Sequence, residues 1–119
     1  METNIHPEDD LWYALKYNPP VQFKVEDVRD IVAEVAGAND EYDWWWVLKM
    51  DGGKYFLLSG GCDYTGWDCQ SSTEEHGYFD SALLAAEASP EIEKYSDRVI
   101  RKNLVGQVKG TQSLYLYQV

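Results

Sequence analysis

The chain has 119 residues, 45% apolar and 14% aromatic, which is enough to bury the core of one domain and too apolar for a disordered segment. Its formal charge of −11 repels nucleic acid and anionic membranes and attracts basic partners. No run approaches the ~18 apolar residues of a membrane helix, and the opening METNIHPEDD lacks the basic and apolar regions of a secretory signal, so a cytoplasmic protein is expected.

Residues 3–17 are expected to form a short helix. Thr3 or Asn4 would cap it, Pro7, Glu8, Asp9 and Asp10 would fill its first turn, and Leu11, Trp12 and Leu15 would face the core. Asn18-Pro19-Pro20 stops it. In residues 25–36, Val28, Ile31, Val32 and Val35 follow the i, i+3, i+4, i+7 spacing of an amphipathic helix, with Gly37 as its C-cap. The valine-rich DIVAEV also suits a strand, but the apolar stripe and the glycine stop favour the helix. Its polar face carries Glu26, Asp27, Asp30 and Glu34.

The stretch from Tyr42 to Ser72 organises the rest. YDWWWVLKM and KYFLLSGG are separated by Asp51-Gly52-Gly53, a strong hairpin signal. Alternation puts Tyr42, Trp44, Trp46, Leu48 and Met50 on one face and Trp45 and Val47 on the other. The returning strand divides Phe56 and Leu58 from Tyr55 and Leu57. A loop from Gly60 to Ser72 follows, rich in glycine, aromatics and acids. Beyond it, Gly77 interrupts any helix, and Asp80 or Ser81 caps a short helix, SALLAAEA, expected to pack through Leu83 and Leu84. Ser89-Pro90-Glu91 opens another helix, lined by Ile92, Tyr95, Val99, Ile100 and Leu104. Ser113 to Val119 alternate as a terminal strand. No repeat or linker divides residues 1–119, which are expected to be a single α+β domain. Its small antiparallel sheet of three to four strands has the Trp-rich hairpin at its centre and helices on one face.

Catalytic and metal signatures are missing. Cys62, Cys69 and His76 offer three soft ligands where a structural zinc site uses four. Asp63, Thr65 and Asp68 lack the pattern of a calcium loop. A thiol from Cys62 or Cys69 paired with His76 would need a third, orienting group, and no phosphate-binding glycine loop or nucleophile elbow is present. The expectation is therefore a non-enzymatic protein with no catalytic residue, metal or cofactor, its two cysteines free thiols.

The carboxylates offer another reading. Residues 1–88 hold 18 Asp and Glu against five Lys and Arg. Phosphates along a nucleic-acid strand lie about 6–7 Å apart, close to side-chain spacing on a helix, so a carboxylate array can occupy a basic groove built for phosphates. In size and charge the chain resembles the small acidic anti-CRISPR and DNA-mimic proteins of phages. That resemblance implies an inhibitor of a nucleic-acid-handling complex in the host cytoplasm, acting on a protein with a basic surface and binding no nucleic acid or membrane itself. The expected contacts are Glu26, Asp27, Asp30 and Glu34, then Asp40, Glu41 and Asp43 at the strand entry. Asp63, Tyr64, Trp67 and Asp68 of the loop complete the set, exposed aromatics among acids being good anchors; a purely structural loop, its glycines and aspartates making turns and Tyr64 and Trp67 folded back over the sheet, is the other reading of the same residues. Two other readings stand beside it. One is a ligand-binding or enzymatic domain with a pocket under the CDYTGWDC loop, lined by Trp44, Trp46 and Trp67. The other is a homodimer formed through the Tyr-rich final strand.

Overall fold

The tryptophan-rich hairpin forms the middle of the sheet. The computed structural model describes residues 5–89, 91–92 and 99–102. In it β2 (Trp44–Met50) and β3 (Tyr55–Cys62) pair antiparallel, Trp44 opposite Gly60 through to Lys49 opposite Tyr55. The Asp51-Gly52-Gly53 turn uses positive φ at both glycines, as a tight hairpin requires. β1 (Val28–Val35) flanks β2, β4 (Ser71–Phe79) flanks β3, and β5 (Val99–Lys102) pairs antiparallel with β1. The strand order is β4-β3-β2-β1-β5.

Alternation along the hairpin divides the core in two. Trp44, Trp46, Leu48, Met50, Phe56 and Leu58 join Leu11, Ala14 and Leu15 of the first helix, α1 (Asp10–Tyr17). Val47 and Leu57 point the other way, to Ala82, Ala85 and Ala86 of α2 (Ala82–Glu87). The α+β class and the central hairpin are as expected. The helices, however, cover opposite faces of the sheet, which is why both hairpin strands are apolar on both sides.

Residues 28–35 are a strand, not the expected helix, and the cause is visible in the register. Val28 opposes Met50 and Asp30 opposes Lys49; Ile31 opposes Leu48 and Ala33 opposes Val47, so Arg29 and Val32 are extra residues at two bulges. The bulges shift the alternation. Val28 and Ile31 fall on the α1 face, whereas Val32, Ala33 and Val35 fall on the α2 face. Two-sided burial with two bulges thus imitates a helical spacing, and the β-branched residues settle as strand. Gly37 is no helix cap: a Cβ there would lie 2.5 Å from the Trp44 ring and from the Tyr42 carbonyl oxygen.

Three further elements differ from expectation. α1 begins at Asp10, after a turn through Pro7 and Glu8; the capping expected of Thr3 or Asn4 lies outside the described residues. α2 has its serine cap, the Leu84 N–H donating to Ser81 Oγ at 3.1 Å, but it packs through alanines at i, i+3 and i+4 while Leu84 is 47% exposed. Small side chains let the helix lie close on the sheet. Val99 to Lys102 are strand rather than helix, and the terminal strand expected at Ser113–Val119 lies outside the described residues. β4 had no counterpart in the sequence reading. Its side chains up to His76 are polar because, among the described strands, it lies at the edge of the sheet and coheres through backbone pairing, and a bulge near Gly77 (φ 111°) breaks that edge. No described helix is long and apolar enough to cross a membrane.

Candidate functional site

β1, about 25 Å long at ~3.3 Å per residue, separates two groups of the acids expected to be partner contacts. Glu26 and Asp27 stand before β1, beside the hairpin turn, where the Asp51 N–H donates to the Asp27 carbonyl at 2.7 Å. Here two further acids are paired with cations. Arg29 Nη2 lies 3.1 Å from Asp51 Oδ2, Arg29 also donates to the Glu26 carbonyl, and Lys54 pairs with Asp80.

Within β1 the acids are not a surface. Asp30 Oδ1 accepts the Ile31 N–H at 2.8 Å, stabilising the bulge. Glu34, expected to be solvated, is only 8% exposed and accepts the Trp46 Nε1–H at 2.9 Å. Both faces of β1 are covered, so this carboxylate belongs to the core. Leaving the indole without its acceptor would cost about 1–3 kcal/mol.

At the far end of the sheet four of the remaining acids converge. Asp40, Glu41 and Asp43, between β1 and β2, and Asp63, after β3, line an open cleft of about 420 Å³ together with Tyr42, Gln70, Ser71 and Ser72. Among the described residues lining it there is no lysine, arginine or histidine. The close packing comes from Gly61, whose missing side chain leaves room for the Asp43 carboxylate. Asp63 accepts the Thr65 hydroxyl and, at 2.9 Å, the Thr65 N–H. Those bonds favour the ionised form, and the hydroxyl foremost holds the Asp63 carboxyl below the usual range. Tyr64, 79% exposed, stands at the loop tip and Tyr42 is 46% exposed.

Trp67 is not exposed. It is 7% accessible, packs on Trp44 and Trp46 with ring centroids 5.2 and 6.4 Å away, and donates its indole N–H to Asp10 Oδ1 at 3.0 Å. The three rings fill the space where a pocket beneath the loop was expected. Trp67 instead ties the loop to the start of α1 and so sets where Asp63, Tyr64 and Asp68 stand. On the other side of the loop a second cleft, about 520 Å³, runs along α1 past Trp12, Tyr13, Lys16 and Tyr17 to Glu8 and Asp68. Of its lining, Trp67 and Asp68 were expected contacts, whereas Glu8, Trp12, Tyr13, Lys16 and Tyr17 were missed as site candidates. The available signal was the spacing WYALKY, which sets Lys16 one helical turn beyond Trp12. Among the described residues the non-glycine positions with positive φ are Glu8 (74°) and Asp40 (64°), one in each cleft; such backbone costs about 1–2 kcal/mol and gathers at functional sites.

The nucleophile candidates separate as well. Cys62 packs against the α1-side core, and burial, then Asp10 and Asp63, push its thiol up, away from nucleophilic thiolate. His76 lies on the opposite face, stacked on Trp45 at 4.9 Å, with Nε2 2.9 Å from Ser59 Oγ. Ser59 is 3% exposed, and this hydrogen bond links β3 to β4. Cys62 and Cys69 are free thiols. Among the described residues no three His, Cys, Asp or Glu side chains converge as metal ligands. Compared with known proteins, the chain matches no family model, no curated protein and no solved structure.

Proposed function

We propose that this is a non-enzymatic acidic binding protein that inhibits a nucleic-acid-handling complex in the cytoplasm of a host cell, by occupying the basic surface where phosphates would bind. The observation that carries the reading is the cleft lined by Asp40, Glu41, Asp43 and Asp63, with no cation on its walls among the described residues. Carboxylates gathered without counter-charge repel one another, a cost that a partner's lysines and arginines relieve on binding. Tyr42 and Tyr64 at the rim add amphipathic contact area of the kind that anchors interfaces.

The experiment is capture from bacterial lysate at low salt, followed by elution with raised salt and, separately, with duplex DNA. A partner that uses its phosphate-binding surface is released by both, because DNA competes for that surface and salt screens charges over a Debye length of about 8–10 Å. A captured protein that resists both treatments overturns the proposal.

A further inference from the structure

The second cleft already holds a cation of the chain's own. Lys16 Nζ sits 4.8 Å from the centroid of the Trp12 ring and 5.4 Å from that of Tyr17, inside the ~6 Å over which a ring face attracts a cation. Tyr13 completes the wall, meeting Trp12 edge-on at 5.0 Å and stacking on Tyr17 at 6.4 Å. Among the described residues no carboxylate lies within ion-pair distance of Lys16. The ammonium is exposed and held by ring faces alone. Such a contact is weak and readily displaced.

Glu8 and Asp68 stand at the rim of the same cleft, supplying carboxylates to any group that enters. Aromatic faces with flanking carboxylates, in a chain of net charge −11, fit one chemistry above others. A guanidinium is planar, weakly hydrated, stacks on aromatic faces and bonds carboxylates through two parallel N–H groups; an ammonium does the first and last of these poorly. The volume, about 520 Å³, falls within the range of small-ligand sites.

We infer that the cleft between α1 and the Cys62–Gln70 loop receives an arginine side chain of a partner protein, and that Lys16 occupies the cation position until the arginine displaces it. This goes beyond the proposed function: it concerns a different surface and makes no claim about phosphate mimicry. Arginine binding here and salt-sensitive capture through the acidic cleft succeed or fail separately.

The test is a titration of the full chain with the peptide acetyl-Gly-Arg-Gly-amide, against the same peptide carrying citrulline, which keeps the shape and loses the charge. The indole N–H of Trp12 and the amides of α1 are followed by two-dimensional NMR at fixed ionic strength. Saturable shifts centred on Trp12, Lys16, Tyr17 and Asp68 with the arginine peptide, and none with citrulline, are expected. Lys16→Met removes the competing cation and tightens binding by about two- to fivefold, the worth of one exposed cation–ring contact. Trp12→Leu abolishes the shifts, while the remaining spectrum reports that the fold is kept. Equal response to citrulline, shifts spread evenly over all surface carboxylates, or weaker binding by Lys16→Met would each overturn the inference.

Discussion

The two ends of the sheet carry similar acids and treat them differently. At the hairpin end Asp51 faces Arg29 and Asp80 faces Lys54, so two of its carboxylates have a cation at hand. At the loop end Asp40, Glu41, Asp43 and Asp63 surround one cleft whose lining, among the described residues, contains no cation. Exposed ion pairs contribute at most about 1 kcal/mol, so the paired end gains little stability from its pairing. The difference therefore concerns the field each end presents. One end has part of its charge neutralised, and the other projects negative charge from a rigid frame of strands.

That frame is where the comparison breaks most easily. Trp67→Ala removes a buried ring packed on Trp44 and Trp46, and should lower stability by about 3–5 kcal/mol in urea unfolding. It should also release the Cys62–Gln70 loop, so the acidic end loses its shape while the hairpin end keeps its amide protection. A loss under 1 kcal/mol would mean the loop is not held by its tryptophan. Glu34→Ala comes next, at about 1–3 kcal/mol from the orphaned Trp46 N–H. That figure separates Glu34 from both surfaces, since truly solvated carboxylates change by no more than about 0.5 kcal/mol.

A smaller effect concerns pH. Hydrogen bonds from Thr65 lower the Asp63 pKa in the folded chain. A depressed carboxyl contributes stability that is present above its unfolded value of about 3.9 and is lost as pH falls through the lower folded value. The loop end should thus keep this negative charge after ordinary aspartates have protonated. Carbon-13 NMR titration of the Asp63 carboxyl should give a midpoint below the usual aspartate value, and Thr65→Val should raise it. An ordinary midpoint in the unaltered protein, unmoved by Thr65→Val, would remove this distinction between the ends.

What could be read from sequence follows what each segment buries. The hairpin was legible because a turn of fixed chemistry separates two runs with period two, and every face assignment from Trp44 to Leu58 follows from that. β1 was not, because its two bulges place Val28, Ile31, Val32 and Val35 at helical intervals while both faces are covered. β4 was silent since an edge strand pairs through backbone, and Ser72, Thr73 and Glu74 carry no burial signal. The acidic residues of the cleft were named from composition, but their separation from Glu26 and Asp27 depends on β1 being extended. Trp67 was assigned to a surface because aromatics in a glycine-rich loop look the same whether they face a partner or fold back. Its bond to Asp10, 57 residues away in sequence, leaves no local trace.

The central claim is that function resides at the acidic end, and two charge reversals of equal size test it. Glu41→Lys with Asp43→Lys alters the cleft; Glu26→Lys with Asp80→Lys alters the hairpin end. All four side chains are exposed, so both variants should fold. Capture of the salt-sensitive partner at low ionic strength should be lost for the cleft pair and retained for the hairpin pair. Equal loss in both would show that net charge alone attracts the partner, and no loss in either would place the interface elsewhere; each result would contradict the account.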